Sequence, residues 1–164
     1  MQTIQSAVRR TLAAAAVITV SAAAASAQPK TPDFSGQWEL NTGKSDLGPA
    51  AGMITKITFT VAQTPANIKF TQAVSTVQGD QTSSQDYTLD GKETEGAGPG
   101  GMTIVRSAKF AGDTIVILGK MKDAADQGQT SRWTLAPDGK TMLIQQQISS
   151  PMGAMSMKLV FDKK

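Results

Sequence analysis

Arg106 is the side chain in this sequence best placed to do chemistry, because of the residues it alternates with. It falls in phase with Met102, Ile104, Ala108 and Phe110, and alternation of that kind puts such residues on one face of a strand. A guanidinium on an apolar face needs an anionic partner or a route to water. Two readings meet that need. Arg106 can point into an enclosed space and hold a ligand carboxylate or sulfate through its forked donor set, or it can pair with an internal carboxylate or sit at a bulge or rim. Tyr87 and Gln146 share phase with apolar neighbours in the same way, as polar contacts in a mostly apolar pocket would. Structural satisfaction within the wall is the alternative for both. Met152, Met155 and Met157 form a further cluster, with Met155 and Met157 directed to one side. Thioethers suit Cu(I), and they also fill adaptable apolar pockets. The expected ligand contacts are therefore Arg106, Tyr87, Gln146, Met155 and Met157.

The missing residue types narrow the chemistry further. The chain has no Cys and no His. That removes disulfides, thiol nucleophiles and thiolate metal sites. It also removes the usual general base, the Ser-His-Asp triad and the commonest zinc ligand. Asp86 beside Tyr87, and Glu93 with Glu95, remain as acid–base candidates. Glu93 and Glu95 lie beside a Gly-rich stretch and read as solvent-facing, whereas a working carboxylate pair needs burial to separate its pKa values. The expectation is a binding protein with no catalytic residue, cofactor or metal site, Met-based Cu(I) binding being a minor alternative. No run of Lys or Arg interleaved with aromatics appears, so no nucleic-acid partner is expected.

Strands must hold these residues. Apolar residues recur with period two at Ile57, Phe59 and Val61, at Ile115 and Ile117, at Trp133 and Leu135, and at Met142, Ile144 and Ile148. This pattern predicts nine or ten strands, near 34–40, 53–63, 67–77, 84–89, 92–96, 102–110, 113–122, 128–136, 140–149 and 155–162. Asp90-Gly91 and Asp138-Gly139 read as two-residue hairpin turns, and Ala111-Gly112-Asp113 as another tight hairpin. Asn41 to Gly52 is irregular, with room for one helical turn, and Gly96 to Gly101 is a flexible hairpin tip without the Lys-Ser/Thr of a phosphate-binding loop. Short sequential connections imply an up-and-down meander. At this strand number closure removes the exposed edges, so the fold class is all-β, a single antiparallel β-barrel of about 8–10 strands.

The first residues read as a cleaved signal. Arg9 and Arg10 precede an Ala-rich apolar run over Leu12–Ala25, and Ala25-Ser26-Ala27 is a small-x-small cleavage site. The domains are then a signal peptide over 1–27, a flexible leader over 28–33 and a barrel over 34–164. Arg9 and Arg10 are the only charges in the first 27 residues, so the mature chain carries 14 basic and 13 acidic residues. No membrane span is expected after cleavage, and the location is periplasmic or secreted.

Phe34-Ser35-Gly36-Gln37-Trp38-Glu39-Leu40 resembles the opening strand of lipocalins and fatty-acid-binding proteins, the calycin-type barrels, and the stretch through Asn41, Lys44-Ser45-Asp46 and Gly48 resembles small exported bacterial lipocalin-like proteins. The resemblance implies that Gly36 permits close backbone approach and that Trp38 plugs the barrel floor beneath a cation. Lys158, Lys163 and Arg132 are the cations on offer. It also implies a carrier of a small apolar or amphipathic molecule, although the helical lid of the fatty-acid-binding proteins is absent. A protein partner is the alternative: a protease-inhibiting barrel with Gln28–Asp33 as its arm, or an envelope structural protein. N-terminal sequencing of the exported protein is expected to begin Gln28-Pro29-Lys30. A start at Met1 would show that the leader is retained.

Overall fold

The computed structural model describes residues 31–98 and 101–164. The signal peptide expected over 1–27, the first half of the leader, and Pro99 and Gly100 of the Gly-rich tip lie outside the described residues. Ten strands follow one another: β1 (Gly36–Leu40), β2 (Ile54–Gln63), β3 (Asn67–Thr76), β4 (Gly79–Thr88), β5 (Thr94–Ala97), β6 (Thr103–Ala111), β7 (Thr114–Met121), β8 (Ala124–Leu135), β9 (Thr141–Ser150) and β10 (Gly153–Lys163). β4 and β8 begin earlier than expected, because their first residues are small or polar and carry no alternation to read. The β1–β2 connection holds two single-turn 3-10 helices, Thr42–Lys44 and Gly48–Ala50. Between them Asp46 bridges Lys158 on β10, and Leu47 drops into the core.

All pairings are antiparallel, in the order β4-β3-β2-β1-β10-β9-β8-β7-β6-β5. The meander therefore curls so that the first and last strands meet. β1 pairs with β10 through Trp38–Lys163 and Leu40–Phe161, and with β2 through Trp38–Phe59. The ladder has two ends, β4 and β5, which do not pair with each other. The expectation of full hydrogen-bonded closure is corrected here: the wall carries an open seam between these strands.

The seam also corrects the reading of Asp90-Gly91 as a hairpin. Asp90 bridges Lys109 on β6, and the Gly91 N–H donates to the Ala108 carbonyl at 2.9 Å. The chain thus leaves β4 and crosses directly to β6, and β5 pairs with β6 alone. Asp138-Gly139 does close a hairpin, between β8 and β9. The two turns share a local feature. In each, the Asp Oδ1 accepts the N–H two residues on, at 3.0 Å from Lys92 and 2.8 Å from Lys140, and each Gly has positive φ, +77° and +65°. The flanks differ. Behind Asp138-Gly139, Leu135 faces Met142 and Trp133 faces Ile144, so burial zips the strands together. β5 reads Thr-Glu-Gly-Ala and has no large apolar side chain to set against Tyr87 on β4. Glu93 and Glu95 instead reach over β6 to Lys120 on β7 and Lys122 in the turn after it, at 2.6 and 2.7 Å.

The core fills the lower end of the barrel, where the β2–β3, β6–β7 and β8–β9 turns lie. Phe34, Trp38, Ile68, Ile115, Met142 and Phe161 are essentially fully buried. Phe59 makes edge contacts with Phe70, Trp133 and Phe161, at ring separations of 5.6, 5.6 and 5.0 Å, arrangements favoured by the ring quadrupoles.

Two hydrogen bonds and an ion pair converge on the Asp90 carboxylate. The Lys92 N–H is the largest influence, followed by the Thr88 hydroxyl and the Lys92 ammonium, and together they lower its pKa from 3.8 to about 2. A depressed carboxylate stabilises the fold above its unfolded value and loses that contribution as pH falls through the folded one. Amide exchange at Gly91 and Lys92, referenced to the intrinsic rate, is therefore expected to accelerate between about pH 4 and pH 2. Asp90→Asn should abolish that pH dependence; an unchanged profile in the variant would assign it to other groups.

Candidate functional site

Above the floor the lumen is open. Opposed residues in an antiparallel ladder share a face, so the inward rows can be followed from strand to strand. Ile68 stands against Tyr87, Phe70 against Gln85 and Gln72 against Ser83. On the far wall Ala108 stands against Ile117, and Ile117 against Ser131, which faces Gln146 and then Met157. One row higher, Arg106 stands against Gly119, Gly119 against Gln129, Gln129 against Ile148 and Ile148 against Met155. The lower rows are apolar and aromatic, and the next rows are largely amide, hydroxyl and guanidinium.

A cavity of about 320 Å³ occupies the upper lumen, walled by Tyr87, Ile104, Arg106, Gln129 and Ile148 among others. A second hollow of about 150 Å³ lies deeper, between Phe59, Phe70, Trp133 and Gln146. Gln85, Tyr87, Ile117 and Gln129 border both, so the two hollows adjoin, the deeper one reaching the aromatic cluster.

Arg106 reaches this space over bare backbone. Its cross-strand neighbour on β7 is Gly119. On β5 the guanidinium lies over Gly96, where a Cβ would sit 3.2 Å from Nη1. Nη2 donates to the Ala97 carbonyl at 3.2 Å. Among the described residues no carboxylate lies within ion-pair range of Arg106, and none lines either part of the lumen cavity. Tyr87 is buried, stacked on Phe70 at 5.9 Å, and its hydroxyl donates to the Gln85 Oε1. Burial pushes the Tyr87 hydroxyl above the ordinary phenol range, and the charge of Arg106 pulls it part of the way back.

The structure thus brings Arg106, Tyr87 and Gln146 to one lumen. Met155 lies on the same side by register but is 38% exposed. Met157 is half-buried against the core and also borders a separate polar hollow of about 300 Å³ with Arg132 and Lys158. Met152 is 97% exposed in the β9–β10 turn. Trp38 sits at the floor, and its indole N–H donates to the Phe34 carbonyl at 2.9 Å. Of the three candidate cations, Lys163 covers it, with Nζ 5.1 Å from the ring centroid. Gly36 has a φ of +130°, and a Cβ there would lie 2.8 Å from Lys163 Cε, so a glycine leaves room for that side chain.

Several wall residues escaped the sequence reading: Gln72, Gln85, Gln129 and Ser131. The signal was present. Gln72 is in phase with Ile68 and Phe70, Gln85 with Tyr87, and Gln129 and Ser131 with Trp133.

No family model matches the sequence, and no curated protein does. Solved structures do match. Zebrafish ileal bile acid-binding protein in complex with cholic acid is 14% identical, with a TM-score of 0.56 over 80% of this chain and 98% of that one. The REP1-NXSQ fatty acid transporter is 14% identical, with a TM-score of 0.56 over 80% and 96%. A secretory abundant heat soluble protein from Ramazzottius varieornatus is also 14% identical, with a TM-score of 0.56 over 84% and 99%. The fold is that of the calycin-type barrels. At this identity the likeness is one of fold alone. No helix among the described residues is long and apolar enough to cross a membrane.

Tyr87 is the only tyrosine in the chain, so its ionisation can be followed directly by ultraviolet absorbance. Its midpoint is expected above about 10, the ordinary phenol value. Arg106→Leu should move it higher still by removing the nearby positive charge. A midpoint that stays put in the variant would show that Arg106 does not share the lumen with the phenol.

Proposed function

We propose that this chain is an exported, non-enzymatic carrier or sensor that binds a small amphipathic molecule in its lumen. The observation that carries this reading is a pair of adjoining lumen hollows, the deeper against an aromatic floor and the upper walled by an arginine with no carboxylate partner among the described residues. Apolar walls with a few convergent polar groups are what small-molecule sites offer. An apolar body would contact Phe70, Tyr87, Trp133 and Ile144. An anionic or strongly polar group would meet Arg106, whose single hydrogen bond to Ala97 leaves donors free for a forked contact.

The similar structures support a binding role, since they include a fatty acid transporter and a bile acid-binding protein holding cholic acid. Export rests on the basic, then apolar, then small-x-small order of residues 1–27, and the working location is periplasmic or secreted. The chain has no Cys or His, and no carboxylate among the described residues lines the lumen, which favours binding over catalysis.

Protein purified without detergent is expected to show a co-purifying amphiphile by native mass spectrometry. Emptied protein should bind anilinonaphthalene sulfonate with a change in tryptophan fluorescence, because Trp133 borders the cavity. Arg106→Leu should weaken that binding about tenfold, in keeping with about 1.5 kcal/mol for a charge-assisted hydrogen bond. An empty barrel that binds no amphiphile, or a variant that binds the anion as well as wild type, would overturn this reading.

A further inference from the structure

The lumen polar groups form a belt around its middle. Gln72 (β3), Gln85 (β4), Arg106 (β6), Gln129 and Ser131 (β8) and Gln146 (β9) project inward from five different strands. Below them lie Phe59, Phe70, Trp133 and Ile144, and beside and above them Ile104, Ile148 and Met155. Polarity is therefore spread around the circumference and is not gathered at one point.

Most of this hydrogen-bonding capacity is unused. Gln85 accepts from Tyr87, and Gln129 donates to Ser131. The side chains of Gln72 and Gln146 have no hydrogen-bond partner among the described residues. Among the described residues no buried side-chain nitrogen or oxygen is left unpaired, so these amides face the accessible space of the cavity and are satisfied by whatever fills it. The charge is one-signed: Arg106 lines the upper cavity and no Asp or Glu does, while the Lys120 ammonium is held by Glu93.

From this belt we infer that the lumen selects an anionic amphiphile bearing several hydroxyl or carbonyl groups along its body, in preference to one with a plain hydrocarbon body. The inference rests on the binding role proposed above and specifies its ligand class. Physically it is an argument about what the amides lose. A bare alkyl body passing Gln72, Gln85 and Gln146 would strip water from them and return nothing, leaving each unpaired group to bear the full cost of its desolvation. A hydroxylated body replaces that water bond for bond. Sites that present polar groups to a substrate discriminate strongly against analogues lacking the matching group, whereas apolar sites hardly reject an added hydroxyl.

Cholate and lithocholate test this by titration calorimetry on the mature protein. They share a ring skeleton and a carboxylate but differ in hydroxyl number, and palmitate supplies the plain chain. An apolar cavity would prefer lithocholate, the more hydrophobic of the pair. The belt reverses that order: cholate is expected to bind at least tenfold tighter than either lithocholate or palmitate. In a Gln72→Leu/Gln146→Leu variant, shown to be folded by its thermal melt, lithocholate should regain the lead. Wild-type protein that binds lithocholate or palmitate as tightly as cholate would overturn the selectivity while leaving the carrier reading intact. Failure to bind any of the three would overturn both. The wild-type ranking decides the matter even if the double variant does not fold.

Discussion

Trp38 stands where the first and last strands meet, and the rest of the barrel depends on that joint. β1 is five residues long, yet it alone links β2 to β10. Trp38 faces Phe59 on one side and Lys163 on the other and is 1% exposed. Truncating a buried aromatic of this size costs about 3–5 kcal/mol. Without the joint the chain would present two sheets, β2–β4 and β5–β10, each with a further unprotected edge. With it, the meander has to curl, and the aromatic cluster around Phe59 becomes a floor.

That floor separates stability from binding capacity. Nearly all of the fully buried side chains lie in the lower rows or in the segment entering β1. Above them the inward positions of β3, β4, β8 and β9 turn to Gln and Ser, which add little to packing and leave a cavity. The seam follows from the same division. Closing it would need apolar residues on β5 to face β4, and β5 has none. Its edges are blunted by exposed acidic residues, Asp80 and Asp86 on β4 and Glu95 on β5, the usual defence of an unpaired strand against another chain.

Much of the architecture was legible in period-two alternation. Strands β2, β3, β6, β7 and β9 lie within a residue or so of where their apolar rows place them, because burying one face of a sheet dictates both phase and length. Polar segments were less legible. β4 begins at Gly79 rather than near residue 84, and its first half pairs through backbone bonds that its side chains do not announce. Gln72, Gln85, Gln129 and Ser131 were in phase and yet passed over. A Gln among apolar residues reads as wall until the opposite wall is known to carry Gln as well.

What the sequence determined by itself was local: the inward face of each strand, the sites of the turns, the opening motif at Gly36 and Trp38, and Arg106 on an apolar face. Each follows from backbone geometry and the burial of one face, which act within a strand or across one turn. The tertiary structure alone decided which elements meet. Two Asp-Gly turns that share the same Asp-to-backbone hydrogen bond serve different ends, one closing β8–β9 and the other carrying the chain past the seam to β6. Lys163, not Lys158 or Arg132, covers Trp38, because the β1–β10 register places it there. Four strands bring amides, and a fifth its guanidinium, to the middle of the lumen. These outcomes depend on contacts between segments far apart in the chain, whose energies are set by packing and register and not by any local run of residues.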